Sequence, residues 1–132
     1  MLAKLFTWWN GATYGALFTI WKRGEKVGED EYGNVFYEER KPSASDGRKR
    51  RWVVYKGLAE PSRVTPDWHG WLHHTFAAPP TEAPLHRQPW EKEHSPNLTG
   101  TPLAYHPKGS LWRGGDRAPA TGDYEAWTPD GA

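Results

Sequence analysis

Three of the six histidines fall in one stretch, Trp68-His69-Gly70-Trp71-Leu72-His73-His74, the most chemical-looking run in the chain. His69 and His73 stand four residues apart, the spacing at which a helix presents two imidazoles to one zinc ion. The metalloprotease pattern needs a glutamate directly after the first histidine, and that position is Gly70. The chain has no cysteine, so further ligands would have to come from His86, His94, His106 or a carboxylate. The expectation is that these histidines pack or hydrogen-bond and hold no metal. Other catalytic patterns are missing too: there is no Gly-x-Ser-x-Gly elbow, P-loop or Gly-x-Gly-x-x-Gly fingerprint. Sixteen Asp and Glu are present, but nothing in their spacing pairs two of them in a pocket. Neither a catalytic residue nor a cofactor-binding residue is expected.

A second candidate is Arg48-Lys49-Arg50-Arg51 beside Trp52, a basic run next to a ring that could hold phosphate and stack a base. The formal net charge is only +1, so the rest of the surface adds no excess of cations for a polyanion. The run reads better as a solvated loop facing Glu29-Asp30-Glu31 or an acidic partner, with a small nucleic-acid-binding module using residues 48–52 as the remote alternative. Asn97-Leu98-Thr99 matches a glycosylation acceptor, but without a signal peptide or disulfides the match reads as accidental.

The elements that would position these groups are few. A chain of 132 residues suits one small domain. Leu, Ile, Val and Phe together make 19 of the 132 residues, whereas Trp alone contributes nine and Tyr six. Apolar surface concentrated in large rings is more typical of interfaces than of an aliphatic core. Leu2, Leu5, Phe6, Trp9, Ala12, Ala16, Leu17 and Ile20 recur at spacings of three and four and predict an amphipathic N-terminal helix. Thr7, Asn10, Gly11, Thr13, Gly15 and Thr19 make it a poor membrane span, and Lys22-Arg23 follows where a cleavage site would be needed. A helix docked on a partner or at a membrane interface is the favoured reading, ahead of one packed on the chain's own core.

Residues 25–55 predict an antiparallel sheet of about three strands. Gly33-Asn34 turns before Val35-Phe36-Tyr37, and Asp46-Gly47 turns before Arg51-Trp52-Val53-Val54-Tyr55. Alternation sets Val35 and Tyr37 against Phe36 on one strand, and Trp52 and Val54 against Val53 and Tyr55 on the other, so both faces of the sheet need covering. Thr65-Pro66-Asp67 starts a short helix carrying Trp68, Trp71, Leu72 and Phe76 on one face. Residues 77–132 hold nine of the twelve prolines and only four Leu and five Trp or Tyr. The fold class expected is α+β: residues 1–76 form a helix-plus-sheet module ending in a short helix, and residues 77–132 an extended tail ordered by partners.

Several runs in this order resemble the seventeen-kilodalton accessory subunit family of respiratory complex I, the proton-pumping NADH:ubiquinone oxidoreductase. They are Gly28-Glu29-Asp30-Glu31-Tyr32-Gly33-Asn34-Val35-Phe36-Tyr37-Glu38, Arg51-Trp52-Val53-Val54-Tyr55 and Pro66-Asp67-Trp68-His69-Gly70-Trp71-Leu72-His73. Further matches lie at Pro96-Asn97-Leu98-Thr99-Gly100-Thr101-Pro102, Tyr105, Pro107 and Trp127-Thr128-Pro129. The resemblance implies a subunit without a redox centre, bound to the hydrophilic arm near the quinone-reducing module, with its tail running over neighbouring subunits. It also implies a paralogous assembly chaperone, present only on immature complexes, as the alternative. An Arg-rich presequence is lacking, which points to a bacterial-type homologue on the cytoplasmic side of the inner membrane, or to the matrix side if the chain is mitochondrial. The partner-binding residues expected on this reading are Trp8, Trp9, Trp21, Tyr32, Tyr37, Arg50, Arg51, Trp52, Tyr55, Trp68, His69, Trp71, Tyr105 and Trp127, in a hetero-oligomer with no nucleic acid.

Overall fold

The computed structural model describes residues 11–124 together with Trp127 and Pro129. Two compact units divide after Asn97. The first is a small α+β unit. Its first helix, α1 (Tyr14–Arg23), starts where the Thr13 hydroxyl accepts the Ala16 N–H at 3.2 Å and the preceding Gly11 takes a left-handed turn. The helix therefore begins later than the apolar periodicity predicts. Ala12 and Thr13 precede it, and Leu2, Leu5, Phe6 and Trp9 lie outside the described residues.

Strand β1 (Gly24–Glu29) follows α1 directly, because the Gly24 N–H returns to the Ile20 carbonyl and ends the helix in extended geometry. β1, β2 (Val35–Glu39) and β3 (Arg51–Val54) form an antiparallel sheet in that order. Lys26 pairs with Tyr37 but Gly28 with Phe36, so Val27 is an extra residue that bulges the edge strand. β2 and β3 pair Phe36 with Val53 and Tyr37 with Trp52, which realises the alternation expected from the sequence.

The β1–β2 loop is closed by Asp30, whose carboxylate accepts the N–H groups of Tyr32 at 3.0 Å and Asn34 at 2.8 Å. Asn34 is fully buried and satisfied on every side. Its amide donates to Asp30 at 2.8 Å and to the Arg63 carbonyl at 3.2 Å, and it accepts the Lys56 N–H at 3.1 Å. One side chain thus ties the hairpin loop, the end of β3 and the 3-10 turn at Pro61–Arg63. A buried amide is tolerated here because no donor or acceptor is left unpaired.

Helix α2 (Pro66–Leu72) begins with Thr65 and Pro66 at the expected cap and first helical positions, although the Thr65 hydroxyl makes no capping bond. It lays Trp68 and Trp71 on the sheet. Trp68 stacks on Phe36 with ring centroids 4.0 Å apart and planes 6° from parallel, and Trp71 meets both rings edge-on. Val64 completes the buried cluster, with Val27, Val53, Tyr55 and Leu72 packed around it. Gly28 makes the stack possible: a Cβ there would lie 2.6 Å from the Trp68 ring. Such ring pairs are worth about 0.5–1.5 kcal/mol beyond the area they bury.

The first unit continues past Phe76, where composition changes, to Asn97. His94 fastens this extension, its Nε2 hydrogen-bonding the Ser62 carbonyl at 2.7 Å while its own carbonyl accepts the Tyr32 hydroxyl at 2.6 Å. The Asn97 N–H then donates to the Ser62 hydroxyl at 2.8 Å. The second unit, from Leu98 on, is built from local turns and one 3-10 turn at Leu111–Arg113, with His106 stacked on Trp112 at 5.0 Å. Among the described residues it contains no α-helix or strand.

Candidate interaction surface

The residues expected to face partners divide into those the first unit uses for itself and those it leaves exposed. Trp68 and Trp71 belong to the first group and correct the expectation: they are 4% and 1% exposed and form the core. With few aliphatic residues in the chain, the sheet is covered chiefly by tryptophans, with Val64 and Leu72 beside them.

Arg51 is corrected in the same way. Its side chain is 7% exposed and clasps the C-terminal end of α2. Nε donates to Glu38 at 3.0 Å, Nη1 to the carbonyls of Trp71 and of Phe76 (2.9 Å), and Nη2 to that of Ala77 at 3.0 Å. The guanidinium also lies over the Trp71 ring at 4.4 Å. A cation at a helix C-terminus satisfies carbonyls that have no partner in the helix. Lys49 is occupied as well, bridging Glu38 at 3.2 Å and Glu25 at 3.9 Å. Register places Glu25, Glu38 and Arg51 side by side across the three strands, so the two cations offset a pair of facing carboxylates. The basic run therefore folds against acids of its own sheet rather than the Glu29-Asp30-Glu31 loop, and only Arg48 and Arg50 of the four remain for anything else.

Tyr32 is half-buried by the His94 latch. Tyr55 is half-buried against the core, and its hydroxyl is pushed above the ordinary 10.0 by burial and by the Glu60 carboxylate. Tyr37 and Trp52 form a half-buried cross-strand pair on the face opposite Phe36. His69 and His73 are exposed with rings 4.3 Å apart. The neighbouring His74 is held below the ordinary 6.5, chiefly by desolvation and then by Arg51 and Arg48. Among the described residues no three His, Asp or Glu side chains converge on a metal position. Trp21, Arg50, Tyr105 and Trp127 are exposed, whereas Trp8 and Trp9 lie outside the described residues.

The structure adds exposed groups that sequence reasoning passed over. Tyr14 and Phe18 join Trp21 on one face of α1, a 14-18-21 spacing legible in the sequence but overshadowed by the aliphatic stripe that ends at Ile20. In the second unit Leu103, Leu111, Trp112 and Tyr124 stand in water beside Tyr105 and Trp127, and Leu111 is 94% exposed. No helix among the described residues is long and apolar enough to cross a membrane.

The sheet, α2 and tail turns that carry these groups lie within residues 24–129, which match the family model for NADH ubiquinone oxidoreductase subunit NDUFA12. The chain belongs to this family. Among relatives, it is 41% identical over 69 residues to an uncharacterized protein of Rickettsia prowazekii, covering 52% of this chain and 67% of that one. It is 38% identical over 94 residues to NADH dehydrogenase [ubiquinone] 1 alpha subcomplex subunit 12 of Bos taurus, covering 64% of this chain and 63% of the bovine one. It is 37% identical over 101 residues to the alpha subcomplex subunit N7BM of Yarrowia lipolytica, covering 69% and 72%. The chain thus spans a little under two thirds of the bovine relative's length. The NDUFA12 match starts at β1, so α1 and its aromatic face lie outside the matched stretch.

Proposed function

We propose that this chain is a non-catalytic accessory subunit of the proton-pumping NADH:ubiquinone oxidoreductase. On this reading it sits peripherally on the hydrophilic arm near the quinone-reducing module, on the cytoplasmic side of a bacterial inner membrane. It stabilises or helps assemble that module. The observation that carries the reading is the contrast between the two units. The first keeps a closed ring core of its own, whereas the second leaves Leu103, Tyr105, Leu111, Trp112, Tyr124 and Trp127 without cover. A segment of local turns with solvent-exposed rings is suited to lie along neighbouring subunits, where large side chains concentrate binding energy. The bovine and yeast relatives carry names of complex I subunits, and membership of their family supports the same assignment.

The first unit supplies the attachment frame in this proposal. Trp21, Tyr37, Arg50, Trp52 and His69 face outward from it, and Arg50 contributes orientation more than affinity as a rim charge. Trp68, Trp71 and Arg51 act on binding only by holding this frame together.

The test is to tag the full chain, solubilise membranes in mild detergent and identify what co-purifies. The proposal expects the flavin and iron–sulfur subunits together with NADH–quinone activity. Recovery of nucleic acid, or of the chain alone, would refute it.

A further inference from the structure

The aromatic face of α1 ends at Trp21, one residue before Lys22, which lines a cationic cleft. Tyr14, Phe18 and Trp21 follow at spacings of four and three, so they share one side of the helix, and Trp21 is 74% exposed. Ile20 points inward and is buried, so the stripe is the helix's free side. Lys22 comes next, at the rim of a cavity of about 660 Å³ lying between the end of α1 and the loop after β2. Lys22, Arg23, Arg40, Lys41 and Arg50 line it, against a single carboxylate, Glu39.

Glu39 is already engaged. It meets Arg23 at 3.9 Å and accepts the Arg50 backbone N–H at 3.4 Å. Arg40 donates to the Lys22 carbonyl at 3.5 Å, closing the end of α1. Among the described residues Lys22, Arg40, Lys41 and Arg50 form no ion pair. Four uncompensated cations around one concavity repel one another, and an anion placed there removes that repulsion. A soluble phosphate would account for the cleft but not for three exposed rings on the helix whose end lines it. A lipid accounts for both, because an interfacial helix sinks aromatic side chains at the headgroup level while cations at its edge meet headgroup phosphates.

We propose that the cleft binds the headgroup phosphate of an anionic phospholipid, with Tyr14, Phe18 and Trp21 seated in the membrane interface. The site adds a lipid preference to the peripheral placement proposed above and rests on that placement. Because the family match starts at β1, the aromatic half of the site belongs to a part of this chain outside that match.

The test measures binding of the purified full chain to vesicles of phosphatidylcholine alone, and to vesicles in which part of it is replaced by phosphatidylglycerol. Binding is expected only to the second kind and should weaken with added salt. Lys22→Gln with Lys41→Gln removes one cation from each side of the cleft without touching a hydrogen bond. At about five-fold for each cation near an anionic surface, the loss is about thirty-fold. Trp21→Ala should weaken binding with the salt dependence retained. Circular dichroism of each variant should match the parent, since the altered side chains are exposed. Equal affinity for both vesicle types, or unchanged affinity of the double variant, would overturn the proposal. Unchanged vesicle binding combined with loss of the double variant from the purified complex would put an acidic protein surface in the cleft, and overturn it likewise. The vesicle assay uses the chain alone, so its failure leaves association with the respiratory complex standing; failure of that association shows instead in the co-purification.

Discussion

Replacing Arg51 by Lys separates a residue that holds the fold from one that faces a partner. The guanidinium spreads its donors over the carboxylate of Glu38 and the carbonyls of Trp71, Phe76 and Ala77, and its plane covers the Trp71 ring. A lysine carries the same charge as a point on a flexible stem, and can keep Glu38 and one carbonyl at most. The carbonyls of Phe76 and Ala77 are near solvent, so water replaces much of what they lose. Trp71's carbonyl lies deeper, and its bond to a charged donor is worth about 1.5–3 kcal/mol. The stacked cation adds about 0.5–1 kcal/mol. A loss of about 2 kcal/mol is therefore expected for Arg51→Lys, and about 3–5 kcal/mol for Arg51→Met, which also strips Glu38 of a partner. The assay is urea unfolding of the isolated full chain, followed by near-ultraviolet circular dichroism of the tryptophan cluster. With a slope of about 1–3 kcal/mol per molar, the Lys variant should unfold about 1 M earlier. An unchanged midpoint in the Lys variant would refute the clasp and return Arg51 to the surface.

Other expectations follow from the same geometry. Trp68→Ala removes the ring stacked on Phe36 and should cost about 3–5 kcal/mol in the same unfolding assay; a loss under 1 kcal/mol would mean that the ring cluster is not the core. Asn34→Ala orphans the Lys56 N–H and the Arg63 carbonyl, and should cost about 2–3 kcal/mol, with faster hydrogen exchange at Lys56 as its local sign. In the second unit Arg117, and then the Ala120 N–H, hold the Asp123 carboxyl below its ordinary 3.8. A depressed folded value means that the contact stabilises the turn above the ordinary value and is lost as pH falls through the folded one. A carbon-detected NMR titration should place the Asp123 midpoint below 3.8 and return it to the ordinary range in Arg117→Ala; equal midpoints would contradict the pairing. Leu103→Ser with Leu111→Ser should leave the chain's own stability within about 0.5 kcal/mol, as exposed positions do, while lowering its recovery in the purified complex. Full recovery would remove these residues from the proposed contact.

Much of this architecture was legible from local pattern. Gly33-Asn34 and the alternation of residues 35–37 and 51–55 announced the sheet, and Thr65-Pro66-Asp67 announced α2. What could not be read was set by contacts distant in sequence. Val27 bulges only because Gly28 must pair with Phe36 beneath the Trp68 ring. Arg51 acts 20 to 26 residues away, on carbonyls that carry no sequence signal. Counting aliphatic residues assigned Trp68 and Trp71 to partners, because it underrated how much surface three packed rings and a few valines close. The stripe ending at Ile20 drew attention from Tyr14, Phe18 and Trp21, which share the helix but point to its other side.

Copy number in active enzyme bears most directly on the accessory-subunit assignment. The complex should be purified from membranes with full NADH–quinone activity, and this chain quantified against the flavin-bearing subunit by mass spectrometry with labelled peptides. One copy per flavin subunit is the result expected of a permanent accessory subunit. A clear deficit in active enzyme, with enrichment on partial assemblies, would contradict that assignment and make the chain an assembly factor.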